Sequence, residues 1–116
     1  MDRPTLDEIL EAVGEFLERE VLPGIQDPRL RFQTLVALNA LAIARREVAL
    51  GPALREEDHR ELRDLLGMAG DREDLLRALA QRIRDGEAPS GTQAFLKAHV
   101  RRKLLLASPR YLERYP

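Results

Sequence analysis

Cysteine and tryptophan are absent from the sequence, and its 116 residues include only three phenylalanines and two tyrosines. Without cysteine the chain has no disulfide, no thiolate metal ligand and no cysteine nucleophile. Leucine and alanine must therefore supply most of the core. Because 44% of the residues are hydrophobic and 34% are charged, the composition is typical of a folded globular chain. The length suits one domain, and we predict a single helical domain over residues 1–116.

The sequence also lacks an excess of charge of one sign and a long hydrophobic run. The formal net charge is −1, so the whole molecule has no electrostatic attraction to nucleic acid or to an anionic membrane. The longest apolar run, residues 35–44, is too short to span a bilayer and is interrupted by Asn39. The first ten residues, MDRPTLDEIL, are acidic and lack the apolar core of a signal peptide. We therefore expect a cytoplasmic protein without a membrane partner.

Apolar residues recur at helical spacing along the chain, and no segment alternates polar and apolar residues as a strand does. Thr5 and Glu8 form a capping-box pattern that starts the first helix, and Gly51-Pro52 is a strong stop signal. We predict an all-α bundle with four main helices, at about residues 5–22, 28–50, 71–85 and 91–107, plus a short helix near residues 56–66. We expect the short helix to be peripheral, because only three leucines give it an apolar face.

Motifs for metal binding and catalysis are scarce. Glu56 and His59 have the Glu-x-x-His spacing of carboxylate-bridged di-iron bundles, but Leu96 stands at the same offset before His99, so a second pair is missing. The sequence has no Gly-x-Ser-x-Gly motif and no glycine-rich phosphate loop. The sequence does not decide whether the chain is an enzyme, but it favours a non-enzymatic protein without metal or cofactor.

Asn39 interrupts the apolar run, and Arg46 follows it two helical turns later on the same face, with Glu47 beside it. One interpretation is a buried asparagine that bonds to the backbone or to a neighbouring helix and fixes the packing register. The other is a small polar pocket that binds a ligand. We favour the first interpretation, because a ligand site needs convergent groups from other helices.

A basic stretch, HVRRK, lies on the last long helix and suggests a patch on its surface. Consecutive bases on a helix point in different directions, and we expect no aromatic platform beside them except Tyr111, so the stretch predicts weak nucleic-acid binding at most. The patch consists of Lys97, Arg101, Arg102 and Lys103.

The segments NALAIARRE and LGP, residues 39–47 and 50–52, resemble the signature of a bacterial family of uncharacterised domains. The opening LDEILEAVGEFLEREVLP and the closing KLLLASPRYL fit the same family in the same order, so the resemblance covers about Pro4 to Leu112. Domains of that family occur alone or beside aminoglycoside-phosphotransferase-like kinases and acyl-CoA dehydrogenases, and no activity of their own is established. The positions that match its recurrent motifs are Asn39, Arg46, Glu47, Pro109, Arg110 and Tyr111.

Three hypotheses about function follow. The first is a non-enzymatic accessory or protein-interaction domain that acts beside a phosphotransferase-like or acyl-CoA-processing enzyme and that can form a homodimer. The second is a small-molecule-binding protein or small enzyme that uses the polar face with Asn39 and Arg46, together with Tyr111. The third is weak nucleic-acid binding through the last long helix, which the near-neutral charge disfavours.

Overall fold

A computed structural model describes residues 2–114, and this part of the chain contains helices and no strand. The all-α prediction is therefore confirmed. The helices are α1 (Leu6–Phe16), α2 (Pro28–Leu66), α3 (Arg72–Arg84), α4 (Thr92–Ala107) and α5 (Pro109–Arg114). The chain divides into two compact units, an N-terminal unit (Met1–Gly51) and a C-terminal unit (Pro52–Pro116); the single domain remains a prediction. Among the described residues, no helix has the length and apolar content needed to cross a membrane.

The N-terminal unit is a helical hairpin. The predicted capping box starts α1: the backbone N–H of Glu8 donates to the Thr5 hydroxyl at 3.2 Å, and the Thr5 N–H donates to the Glu8 carboxylate at 3.0 Å. After α1 a π-helical turn (Leu17–Val21) and a 3₁₀ turn (Leu22–Gly24) complete the predicted helix over residues 5–22.

Arg45 and Arg31 fix the direction of α2 relative to α1. Arg45 donates to Asp7 at 3.0 Å near the start of α1, whereas Arg31 donates to the carbonyl of Leu22 at 3.2 Å beside the turn. The two helices therefore run antiparallel. The hydrogen bond from Arg45 lowers the pKa of Asp7. Because both side chains are about 40% exposed, solvent screens the pair, which orients the hairpin more than it stabilises it.

The predicted break at Gly51-Pro52 is wrong. Helix α2 continues through Pro52 and is 39 residues long, so the predicted helix near residues 56–66 is its C-terminal part. An internal proline removes one backbone donor and crowds the carbonyl of the preceding turn, at a cost of about 3 kcal/mol. Tertiary packing compensates for this cost, because α1 packs on the first half of α2, and α3 and α4 pack on the second half.

The core of the C-terminal unit is aliphatic with one aromatic ring. Leu62 on α2, Leu75 and Leu79 on α3 and Phe95 on α4 are at most 4% exposed. The expectation of a peripheral helix near residues 56–66 is wrong, because Leu62 is fully buried. The leucines of α3 and the ring of Phe95 pack in one cluster with Leu62. This core positions the polar groups that the same three helices carry.

Candidate functional site

The carboxylate of Asp58, on the second half of α2, is the centre of a buried cluster of charged side chains. Asp58 is only 2% exposed. Its Oδ2 accepts a hydrogen bond from Nε of Arg72 at 2.9 Å, and its Oδ1 accepts hydrogen bonds from Nη2 and Nε of Arg102 at 2.8 and 3.0 Å. Nδ1 of His99 lies 2.9 Å from Oδ1. The Asp58 cluster therefore joins α2, α3 and α4.

Arg102 extends the cluster to a second carboxylate. Its guanidinium binds Glu61 in a bidentate manner, with N–O distances of 2.8 and 3.1 Å. The same guanidinium lies 5.9 Å from the centre of the Phe95 ring, on which His99 also stacks at 5.5 Å. Burial by itself lowers the pKa of Arg102, but its hydrogen bonds to Glu61 and Asp58 raise it above the ordinary value. The arginine therefore stays charged in the interior.

The same balance holds for Asp58. Burial opposes ionisation and by itself raises the pKa of Asp58, but hydrogen bonds from His99, Arg102 and Arg72 hold this pKa below its ordinary value. Asp58 is therefore a carboxylate at neutral pH. A buried charge of this kind is tolerated only with its partners, so removing one partner leaves the others uncompensated.

The Asp58 cluster has groups suited to acid–base chemistry, but the cavity that Asp58 and His99 line is small. An aspartate that orients a histidine is a common general-base arrangement. The cavity beside the cluster, however, has a volume of about 40 Å³, whereas small-molecule sites span roughly 300–1,000 Å³. Within residues 2–114, no three His, Asp or Glu side chains are grouped so as to hold a metal ion. We interpret the cluster as a structural clamp.

Asn39 lies on an exposed face of α2, so the interpretation of Asn39 as a buried residue is wrong. The reason is that α1 covers a different face: Leu38 and Arg45 line the groove between the two helices, and Leu38 is rotated by about 100° from Asn39. Arg46 and Glu47 are half-buried. Arg46 lines a shallow groove of about 410 Å³ that does not include Asn39, so the structure does not join these two residues in one pocket.

The predicted basic patch separates into two parts. Arg102 is only 7% exposed and is bound to Asp58 and Glu61, so it does not contribute to a surface for nucleic acid. Lys97 and Arg101 are exposed and line a groove of about 530 Å³ between α4 and α5, together with Tyr111. The other lining residues are mainly apolar and include Leu96, Val100, Leu104 and Leu112. Lys103 and Arg110 are exposed outside this groove.

The apolar residues of α1 are divided between two environments. Leu10 and Gly14 line the groove toward α2. The rest of the apolar face is open to solvent and forms what we call the α1 stripe. It consists of Leu6, Ile9, Val13 and Phe16, which are 59%, 45%, 43% and 58% exposed. The helical spacing of these residues is typical of a core face, but residues 2–114 supply nothing that buries it.

A family model for a domain of unknown function (DUF6285) matches residues 23–111. The chain belongs to this family. The DUF6285 match includes α2, α3 and α4, and therefore the whole Asp58 cluster and the exposed face around Asn39. Neither a curated protein nor a solved structure matches the chain.

The Asp58 cluster of this DUF6285 chain is not among the sites predicted from the sequence, although both of its segments carry several charged residues. The segment with Glu56 and His59, residues 56–59, suggests a metal site and HVRRK suggests a nucleic-acid patch, whereas in the structure these two segments bind each other. The usable signal was helical spacing: His99 and Arg102 are three residues apart on α4, and Asp58 and Glu61 are three residues apart on α2. Opposite charges at matching spacing on two helices with apolar faces indicate a buried pairing.

Proposed function

We propose that this chain is a non-enzymatic accessory domain that binds a partner protein through the α1 stripe. The observation that carries the proposal is the exposure of four large apolar side chains on one face of a single helix, by 43–59%. A contiguous apolar patch of several hundred Å² is about the upper limit for a monomeric protein and commonly marks an interaction surface. The spacing of the stripe suits docking of α1 into an apolar groove.

The charges beside the α1 stripe indicate which groove would fit. The remainder of α1 carries acidic residues: Asp7 and Glu11 are engaged by Arg45, and Glu8 and Glu15 are exposed. A partner groove with an apolar floor and a basic rim is therefore complementary to α1. The resemblance to domains that occur beside phosphotransferase-like kinases and acyl-CoA dehydrogenases supports an enzyme of one of these classes as the partner.

The experiment begins with affinity capture of the tagged protein from source cells and identification of the bound enzyme. The purified enzyme is then titrated with the wild type, with Val13→Glu and with the matched control Met68→Glu. Both variants place a carboxylate at a side chain that is 43–50% exposed, so both should fold. We expect Val13→Glu to weaken binding at least tenfold and Met68→Glu to leave it unchanged. Equal affinity of all three proteins, or catalysis by the pure chain that requires Arg46, would contradict the proposal.

A second candidate function rests on the groove between α4 and α5. Its volume of about 530 Å³ lies within the range of small-molecule sites, and Lys97 and Arg101 stand beside apolar walls. These features suit a ligand with an apolar chain and a carboxylate. Isothermal titration calorimetry with decanoate tests this candidate. Arg101→Gln should weaken the binding of decanoate about tenfold or more, because it removes one charge-assisted hydrogen bond. The control Lys103→Gln, which lies outside the groove, should leave the binding of decanoate unchanged. Absence of heat with the wild type would refute this candidate.

A further inference from the structure

We propose that a second copy of this chain covers the exposed face of α2, in an antiparallel two-fold arrangement centred on Asn39. We call this face the α2 seam. Phe32, Leu35 and Val36 are 67%, 46% and 53% exposed, Asn39 is exposed and Ile43 is half-buried. At about 100° per residue, all five lie within an arc of about 100°. The α2 seam shares no residue with the α1 stripe, so this inference does not depend on the proposed function.

The order of residues along the α2 seam fits a second copy of itself. In an antiparallel pair with the axis at Asn39, a residue before Asn39 shares a layer with the residue equally far after it in the second copy. Two of the resulting layers are aliphatic, and the third places an aromatic ring beside a guanidinium, which is a favourable contact. The pairs are Leu35 with Ile43, Val36 with Ala42, and Phe32 with Arg46.

Asn39, the residue on the proposed axis, is itself compatible with a two-fold rotation axis. An asparagine amide has both a donor and an acceptor group, so two copies of Asn39 can donate to each other. A lysine or glutamate at this position would face a like charge. A single asparagine within an apolar seam is also a known way to fix the register and number of packed helices.

The charges beside the seam are complementary in the same register. Arg29 is ten residues before Asn39 and Glu47 is eight residues after it, and helical geometry puts both on the same flank of the seam. The two-fold axis places Arg29 of one copy beside Glu47 of the second copy. Measured along the helix axis, the two residues are offset by about 3 Å. Opposite charges therefore meet at both ends of the interface.

Because the chain has no cysteine, disulfide trapping tests the axis directly. Two helices that pack 8–10 Å apart bring facing Cα atoms to within about 4–5 Å, which suits a disulfide. Asn39→Cys should therefore form a cross-linked dimer nearly completely on mild oxidation. Gln33→Cys, which is also exposed but points away from the seam, is the matched control and should cross-link less than a tenth as much. Equal cross-linking of the two variants would overturn the proposal.

Sedimentation equilibrium provides a test without a disulfide. The wild type should have twice the monomer mass of 13.2 kDa. Val36→Glu and Asn39→Asp should each raise the dimer dissociation constant at least tenfold, the second by placing two like charges on the axis. Val13→Glu, on the α1 stripe, should leave the dimer intact. A monomeric wild type, or a dimer lost in Val13→Glu and retained in Val36→Glu, would refute the α2 seam as the self-association face.

Discussion

The two units of the chain bury their apolar residues to very different extents. In the C-terminal unit, Leu62, Leu75, Leu79 and Phe95 are at most 4% exposed. In the described part of the N-terminal unit only one large apolar residue, Leu22, is buried, at 9% exposed. Of the fifteen large hydrophobic side chains that are exposed among residues 2–114, ten belong to this unit. The C-terminal unit therefore has a core of its own, whereas the N-terminal unit exposes apolar side chains of the kind that normally form a core.

The difference shows what an amphipathic pattern does and does not specify. The periodicity of α1 is as clear as that of α3, yet the α1 stripe is exposed while Leu75 and Leu79 on α3 are buried. A helix buries its apolar face only where other segments cover it. Three helices, α2, α3 and α4, share the core of the C-terminal unit, whereas two helices, α1 and the first half of α2, make up the described part of the N-terminal hairpin apart from its turns. The pattern thus predicts a face that requires a partner, and the number of surrounding helices decides whether the chain supplies that partner itself.

The largest expected effect is the loss of the carboxylate of Asp58. In Asp58→Ala, Arg72 and Arg102 lose their shared partner in the interior, and we expect a loss of about 3–5 kcal/mol in the free energy of unfolding. Urea denaturation followed by circular dichroism measures it. Asp74→Ala is the matched control, because Asp74 pairs with Arg77 at the surface and such pairs contribute little. If the two variants unfolded at the same urea concentration, the cluster would not be the clamp that we describe.

The contrast between the units is tested directly by two leucine truncations. Leu62→Ala removes a fully buried side chain and should cost about 2–5 kcal/mol, since it loses transfer free energy and leaves a cavity. Leu6→Ala removes a side chain that is 59% exposed and should change stability by about 0.5 kcal/mol or less. Thermal unfolding of the isolated protein compares the two variants with the wild type. Similar costs would mean that Leu6 is covered in solution and that the two units do not differ as the structure indicates.

Most of the helices could be predicted from the sequence, because caps and periodicity are local. The capping box at Thr5 and the α-helical class required only neighbouring residues. The continuation of α2 through Pro52 could not be predicted, since the local cost of proline is outweighed by packing from helices distant in sequence. The Asp58 cluster could not be predicted for a related reason: Asp58 and Arg102 are 44 residues apart, and the matching spacing of their charges indicates a pairing only when the two helices are known to be neighbours. The exposure of Asn39 likewise depends on which face of α2 the hairpin covers.

Acid should lower the stability of the C-terminal unit by protonating Asp58. The loss should be smaller than that caused by Asp58→Ala. The pKa of Asp58 is lower in the folded protein than its ordinary value, so its contribution to stability is complete above about pH 4–5. This contribution is lost as the pH falls through the folded pKa, because the unfolded chain then binds the proton more tightly. The effect is smaller because a protonated carboxyl group still accepts hydrogen bonds.

Urea unfolding midpoints between pH 7 and pH 2.5 measure this dependence. We expect the wild type to lose more stability below pH 4 than Asp58→Asn, which cannot titrate at this position. Asp64→Asn, at an exposed position of the same helix, should retain the wild-type dependence. Identical pH dependence of the wild type and Asp58→Asn would show that Asp58 does not contribute to acid sensitivity.

The smallest effects concern two glycines, one with open space beside it and one with a left-handed backbone. A Cβ added to Gly14 in α1 meets no described atom within 4 Å, and alanine favours a helix, so Gly14→Ala should gain about 0.5–1 kcal/mol. Gly91, at the start of α4, has φ +95°, and a Cβ there would lie 3.4 Å from Cδ1 of Leu65. Gly91→Ala should therefore lose about 1 kcal/mol or more. Opposite shifts of the thermal midpoint would confirm that the N-terminal hairpin has unfilled space; a loss in both variants would mean that the groove beside Gly14 is closed in solution.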